Sequence, residues 1–136
     1  LRGDGMLIDP VVNEPQLQLQ VPEGQYSISL MHRSHIAVQT LNPVTLQYSE
    51  PVNIDFRLEE FCQDTDRIKL LQPDSLFYGL ISGDSDQNGY ITTGDYTNWL
   101  NASRRQDNYS DCDFNMDGVL SQADFELWLA NARAGY

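Results

Sequence analysis

Apolar and polar residues alternate along the first half of this chain, and the alternation changes period near residue 82. Leu17-Gln18-Leu19-Gln20-Val21, Tyr26-Ser27-Ile28-Ser29-Leu30 and His35-Ile36-Ala37-Val38-Gln39 carry the period of two that marks a half-buried strand. Thr45-Leu46-Gln47-Tyr48 and Val52-Asn53-Ile54-Asp55-Phe56 continue it, with Pro22-Glu23-Gly24 and Asn42-Pro43 as turns between runs. Short strands at this spacing predict a small antiparallel β-sheet or sandwich over residues 17–60. Residues 1–16 hold Gly3, Gly5, Pro10 and Pro15 and few large apolar side chains, which predicts an extended N-terminal arm. Residues 61–81 read as a connector, with a helical turn around Arg67–Leu71. The apolar run Leu76–Ile81 reads as strand or extended packing. From 82 to 136 the period lengthens. Tyr96, Trp99 and Leu100 fall on one helical face, as do Phe125, Trp128 and Leu129, predicting helices over Thr93–Arg104 and Gln122–Ala132 packed ring against ring. The fold class is therefore α+β, a β part followed by a helical part.

The helical part repeats itself. Asp84 falls on Asp113, Gly89 on Gly118, Asp95 on Asp124, Trp99 on Trp128 and Arg104 on Arg133, a constant shift of 29 residues. Each repeat begins with a loop, Asp84–Asp95 and Asp113–Asp124, that places oxygen side chains at its first, third, fifth, ninth and twelfth positions and Gly at its sixth. Calcium takes six to eight oxygens in flexible geometry, and the sixth-position Gly allows the chain to turn sharply around the ion. The expected ligands are Asp84, Asp86, Asn88, the Tyr90 carbonyl, Thr92 and Asp95 in the first loop. The second loop offers Asp113, Asn115, Asp117, the Val119 carbonyl, Ser121 and Asp124. Two Ca2+ ions are implied, one per loop. Magnesium, which demands a near-ideal octahedron and keeps its waters, fits less well. Ser121-Gln122-Ala123-Asp124 also has capping-box spacing, with Thr92-Thr93-Gly94-Asp95 as its looser copy, so these positions can start a helix as well as bind an ion.

Residues 82–136 resemble a dockerin domain: two calcium-binding loop-plus-helix repeats with no entering helix, and Asp rather than Glu at the twelfth position. The upstream His32-Arg33-Ser34-His35-Ile36 stretch is similar to a C-terminal region of large secreted bacterial surface proteins. The resemblance implies a dockerin-like duplicated calcium-binding domain and a cohesin-like protein as partner. In dockerins that contact uses the tenth and eleventh loop positions, often a hydroxylated pair. Here they are Thr93-Gly94 and Gln122-Ala123, which match neither that pattern nor each other.

Charge narrows the partners. Twenty acidic residues against eight basic ones give a formal net charge of −12, which opposes nucleic acid. No apolar run reaches the ~20 residues of a membrane span. Calcium loops and the two cysteines together point to an oxidising, extracellular setting, so a Cys62–Cys112 disulfide tying the β part to the calcium part is expected, with two free buried thiols as the alternative. Asn101 and Asn108 head glycosylation spellings. His32 and His35, three apart on a strand, should face opposite sides. No nucleophile and base stand together with an orienting group, so no enzyme is expected. The reading is a secreted, non-enzymatic, calcium-binding structural protein that assembles with other copies of itself through its arm and sheet edges. A dockerin-type adaptor for a cohesin-like partner is the alternative.

Overall fold

The structure is a computed structural model that describes residues 19–48, 50–70, 76–105 and 110–136. The expected arm, the start of the first expected strand and Asn108 lie outside the described residues. Among the described residues, six short strands and two α-helices follow in order: β1 (Gly24–Tyr26), β2 (Ser29–His32), β3 (His35–Gln39), β4 (Val44–Leu46), β5 (Ile68–Leu70), β6 (Tyr78–Leu80), α1 (Thr93–Arg105) and α2 (Gln122–Ala134). The strands form three antiparallel pairs, β1 with β4, β2 with β3, and β5 with β6. The chain is mixed α+β, and no helix among the described residues is long and apolar enough to cross a membrane.

The strand expectations hold in part. Tyr26–Leu30 is divided between two pairs: Tyr26 closes β1 opposite Val44, and Leu30 lies in β2 opposite Val38. The break falls at Ile28, whose carbonyl accepts from Thr40 N and whose amide donates to Thr40 Oγ1. Val52–Phe56 forms no strand, although it alternates. Asp55 instead takes the Arg57 amide and both arms of its guanidinium, at 2.7–3.0 Å, which folds the backbone into a turn. Leu19–Val21, the described part of the first expected strand, is also irregular. In the connector a 3-10 turn at Thr65–Arg67 leads into β5 rather than a helical turn. Its partner β6 lies in the expected apolar run.

β3 is the central element. β2 flanks it on one side. On the other, Ile36 N donates to Ile81 O and Gly83 N to Ser34 O, and Gln63 N then donates to Gln39 O further along. Ile36 and Val38, two residues apart on one face, feed two adjoining apolar clusters. Ile36 joins Ile81, Ile91, Ala102, Cys112, Phe114 and Trp128. Val38 joins Cys62 and Ile68. The first cluster crosses residue 82, so the β part and the loop–helix part share a core.

This arrangement corrects the expected disulfide. Cys62 and Cys112 are both free and buried. Cys62 bridges Thr40 at the far end of β3, whereas Cys112 belongs to the cluster fed by Ile36. Four residues of strand span roughly 13 Å, while a disulfide needs Cα atoms within about 7 Å. Burial pushes both thiols above their ordinary pKa, which keeps them protonated and unreactive. A colorimetric thiol assay should find neither cysteine reactive in the native protein and both reactive once it is unfolded without reductant. A disulfide would give no reactive thiol in either state.

Candidate metal centre

Both twelve-residue loops close around buried carboxylates in the same way. In the first, Asp95 Oδ1 accepts from Ser85 N (2.7 Å) and Asp86 N (3.2 Å), and Oδ2 accepts from Thr92 N (2.8 Å). Asp84 accepts from Asn88 N and Gly89 N at 3.0 and 2.9 Å. The second loop repeats this. Asp124 accepts from Asn115 N (3.2 Å) and Ser121 N (2.8 Å), and Asp113 from Asp117 N (3.2 Å) and Gly118 N (3.0 Å). First and twelfth positions thus fold the loop inward from its two ends. The sixth-position glycines supply the turn, with φ +86° at Gly89 and +83° at Gly118, a conformation that a side chain strains. Gln87 and Met116 at the fourth position also have positive φ, a feature no residue type announced.

The loops start the helices as expected. Ser121 Oγ accepts from Ala123 N while Asp124 takes the Ser121 amide, a complete capping box ahead of α2. Thr92 and Asp95 reproduce it ahead of α1, where Thr92 Oγ1 accepts from Gly94 N. Each ninth-position hydroxyl also donates to its twelfth-position carboxylate. Tyr90 and Val119, expected to offer carbonyls, leave their side chains exposed.

Asp84, Asp95, Asp113 and Asp124 are each at most 2% exposed. Burying a carboxylate is costly unless charge compensates it. Burial pushes the Asp84 carboxyl above the usual carboxylate range; the Gly89 amide pulls it down and the Asp95 charge pushes it up again. No arginine or lysine forms an ion pair with the first-loop carboxylates among the described residues. In that loop one oxygen each of Asp84, Asp86 and Asp95 lie within 4.8 Å of one another. Oxygens bound to one calcium at 2.3–2.6 Å can be that far apart, so the donor set fits the ion. The second loop converges less. Asn115 Nδ2 bonds Asp117 Oδ2 at 2.9 Å, tying its third and fifth positions to each other. Arg33 Nη2 also stands 4.0 Å from Asp113 Oδ2.

Two neighbours of the loops escaped sequence reasoning. Arg33 comes from the β2–β3 turn. Arg67 places its guanidinium 3.1 Å from where a Cβ on Gly89 would sit. Only the tertiary fold brings them there, and no local pattern marks them. Asn101 is exposed but lies within α1. His32 and His35 do not face opposite sides. The Arg33-Ser34 turn makes them cross-strand partners, with Nδ1 atoms 2.8 Å apart.

No family model, curated protein or solved structure matches this chain. Its function must be read from the loops, the shared core and the surfaces around them.

Proposed function

We propose that this chain is a secreted, non-enzymatic structural protein whose dockerin-like loop–helix half binds two Ca2+ ions, and which assembles with copies of itself. The observation that carries the calcium reading is the set of four buried carboxylates at the first and twelfth loop positions, held by backbone amides in both loops and, in the first, converging with Asp86 on one point. Calcium there would neutralise buried charge and lock the starts of both helices. Extracellular calcium modules work at about 10⁻⁴–10⁻³ M, which suits three carboxylates per loop.

Self-assembly is supported by the sheet edges. Ile28 O bonds to Thr40 N next to β3, so with a period of two the backbone groups of Ser29 point away from it, and the β2–β3 register slips between Leu30 and His32. Met31 is 62% exposed. Such an edge is a template for another strand. The non-enzymatic reading is supported by Ser34: its hydroxyl lies 3.0 Å from His35 Nδ1, yet Ser34 is fully buried and out of a substrate's reach.

The adaptor reading has its own support. Tyr96, Trp99, Leu120, Gln122 and Phe125 line an open groove of about 520 Å³ between α1 and α2. It includes Gln122, the tenth position of the second loop.

Calcium titration followed by calorimetry tests the first claim. Two ions should bind per chain, and at a hundred times Kd each independent site should stabilise the fold by about 2.7 kcal/mol. An unchanged melting temperature on adding a chelator to the calcium-loaded protein would rule the proposal out. Light scattering with calcium present separates self-assembly from a monomeric adaptor.

A further inference from the structure

The His32–His35 pair is used by neither loop, and its geometry is unusual for two surface-strand histidines. The register places the residues directly across the β2–β3 turn. The rings meet edge to face with centroids 4.7 Å apart. Their Nδ1 atoms approach to 2.8 Å, while Ser34 offers its hydroxyl to both, at 3.1 and 3.0 Å, and its amide to His32 Nδ1 at 3.4 Å. Ser34 therefore orients both rings from a fully buried position. Next to the pair lies a cavity of about 150 Å³, lined by His32, His35, Met31 and Arg67 and by Asp84 and Asn88 of the first loop. It has room for several waters at roughly 30 Å³ each.

We propose that His32 Nδ1 and His35 Nδ1 form a chelating site for a divalent transition cation, distinct from the calcium loops, in which the metal replaces the Ser34 hydroxyl as their shared partner and cavity waters complete the coordination. Imidazole nitrogens bind such metals at about 2.0–2.1 Å. Two nitrogens 2.8 Å apart then subtend about 85–90° at the metal. That is the angle between adjacent ligands in a square-planar or octahedral site, and is narrower than a tetrahedral one. The geometry therefore favours Cu2+ or Ni2+ over Zn2+. Burial lowers both pKa values, with His35 at about 4, so both imidazoles stay neutral; one Nδ1 carries the proton of the 2.8 Å contact, and chelation moves that ring to its Nε2–H tautomer. Arg33 is the cation acting on both rings, Asp111 and Asp113 are the anions facing His32, and Arg67 and Asp84 line the adjoining cavity. The site has lost the second-face histidine that the strand pattern implied and gained a bidentate clamp.

The test is copper titration of the tag-free chain in saturating Ca2+, so that the loops are filled, read by electron paramagnetic resonance. One Cu2+ should bind per chain, with hyperfine splitting from two nitrogens. His32→Ala should retain the fold by circular dichroism, because His32 is only half-buried, yet lose one nitrogen and weaken copper by at least about tenfold. His32→Asn should do the same if the alanine variant fails to fold. Ser34→Ala removes the hydroxyl that competes for both Nδ1 atoms, so it should keep both nitrogens and leave copper bound at least as tightly. A wild-type spectrum without nitrogen splitting, or splitting and affinity unchanged by His32→Ala, overturns the proposal. Repeating the titration without calcium keeps it independent of the loop assignment: loss of the loop metal leaves the two-nitrogen signal in place.

Discussion

Asp95→Ala should abolish calcium binding in the first loop and leave the calcium-free protein close to unfolded. The Asp95 carboxylate is fully buried and takes the amides of Ser85, Asp86 and Thr92 together with the hydroxyls of Ser85 and Thr92. A hydrogen bond to a charged group contributes about 1.5–3 kcal/mol, and a buried donor left without an acceptor costs about as much as the bond was worth. Loss of the whole set should cost on the order of 4 kcal/mol, a large share of the 5–15 kcal/mol that holds a typical domain together. Asp95→Asn separates the two roles. It keeps one oxygen acceptor but removes the charge, so the fold should survive better than in Asp95→Ala while the first calcium is still lost. Isothermal titration should then count one ion instead of two, with the circular dichroism melt reporting stability. An Asp95→Asn protein that binds two ions with unchanged affinity would remove this residue from the ligand set.

Trp128→Ala should be the most damaging change in the shared core, and its repeat counterpart should be mild. Trp128 is 8% exposed, packs against Tyr96 and Phe125 with centroids 5.4 and 5.8 Å apart, and donates its Nε1 to Thr92 O at 3.2 Å. Truncating a buried tryptophan to alanine costs about 3–5 kcal/mol, and the lost hydrogen bond adds about 1 kcal/mol. Trp99 occupies the equivalent place in the first repeat. It stacks on Tyr96 and meets Phe125 at a tilt, yet its buried Nε1 has no partner among the described residues. Trp99→Phe removes that unsatisfied donor and should change stability by less than about 1 kcal/mol, with either sign. Urea unfolding of Trp99→Phe beside Trp128→Phe, the same change in each repeat, gives the comparison, with the larger loss expected at Trp128. Equal losses would mean that the repeats are packed alike and that the asymmetry is illusory.

The loops and helices were legible because their signals are local. A cap, a sixth-position glycine and a 3.6-residue stripe all act within a dozen residues, and the helices end within two residues of where the pattern put them: α1 at Arg105 rather than Arg104, α2 at Ala134 rather than Ala132. The sheet was less legible because a period of two says that a segment is a strand without saying which strand it pairs with. Tyr26–Leu30 changes partner in its middle for that reason. Val52–Phe56 has the right period, but the Asp55–Arg57 ion pair, only two residues long, turns the chain before a ladder can form. Ile68-Lys69-Leu70 is too short to show any period, and only its partner β6 makes it a strand. In the site, first- and twelfth-position carboxylates were evident from spacing. The approach of Arg33, Arg67 and the histidine turn was not, because those contacts join residues far apart in sequence.

Ile36 and Ile81 matter beyond packing. Each is at most 2% exposed, and both belong to the cluster that also holds Phe114 and Trp128. The repeat pair is therefore not a cassette that can be lifted out at residue 82 and grafted onto another carrier. Excised there, it would leave the rings of its helices without the two isoleucines that close over them. Any transplant has to carry the β3 hairpin along.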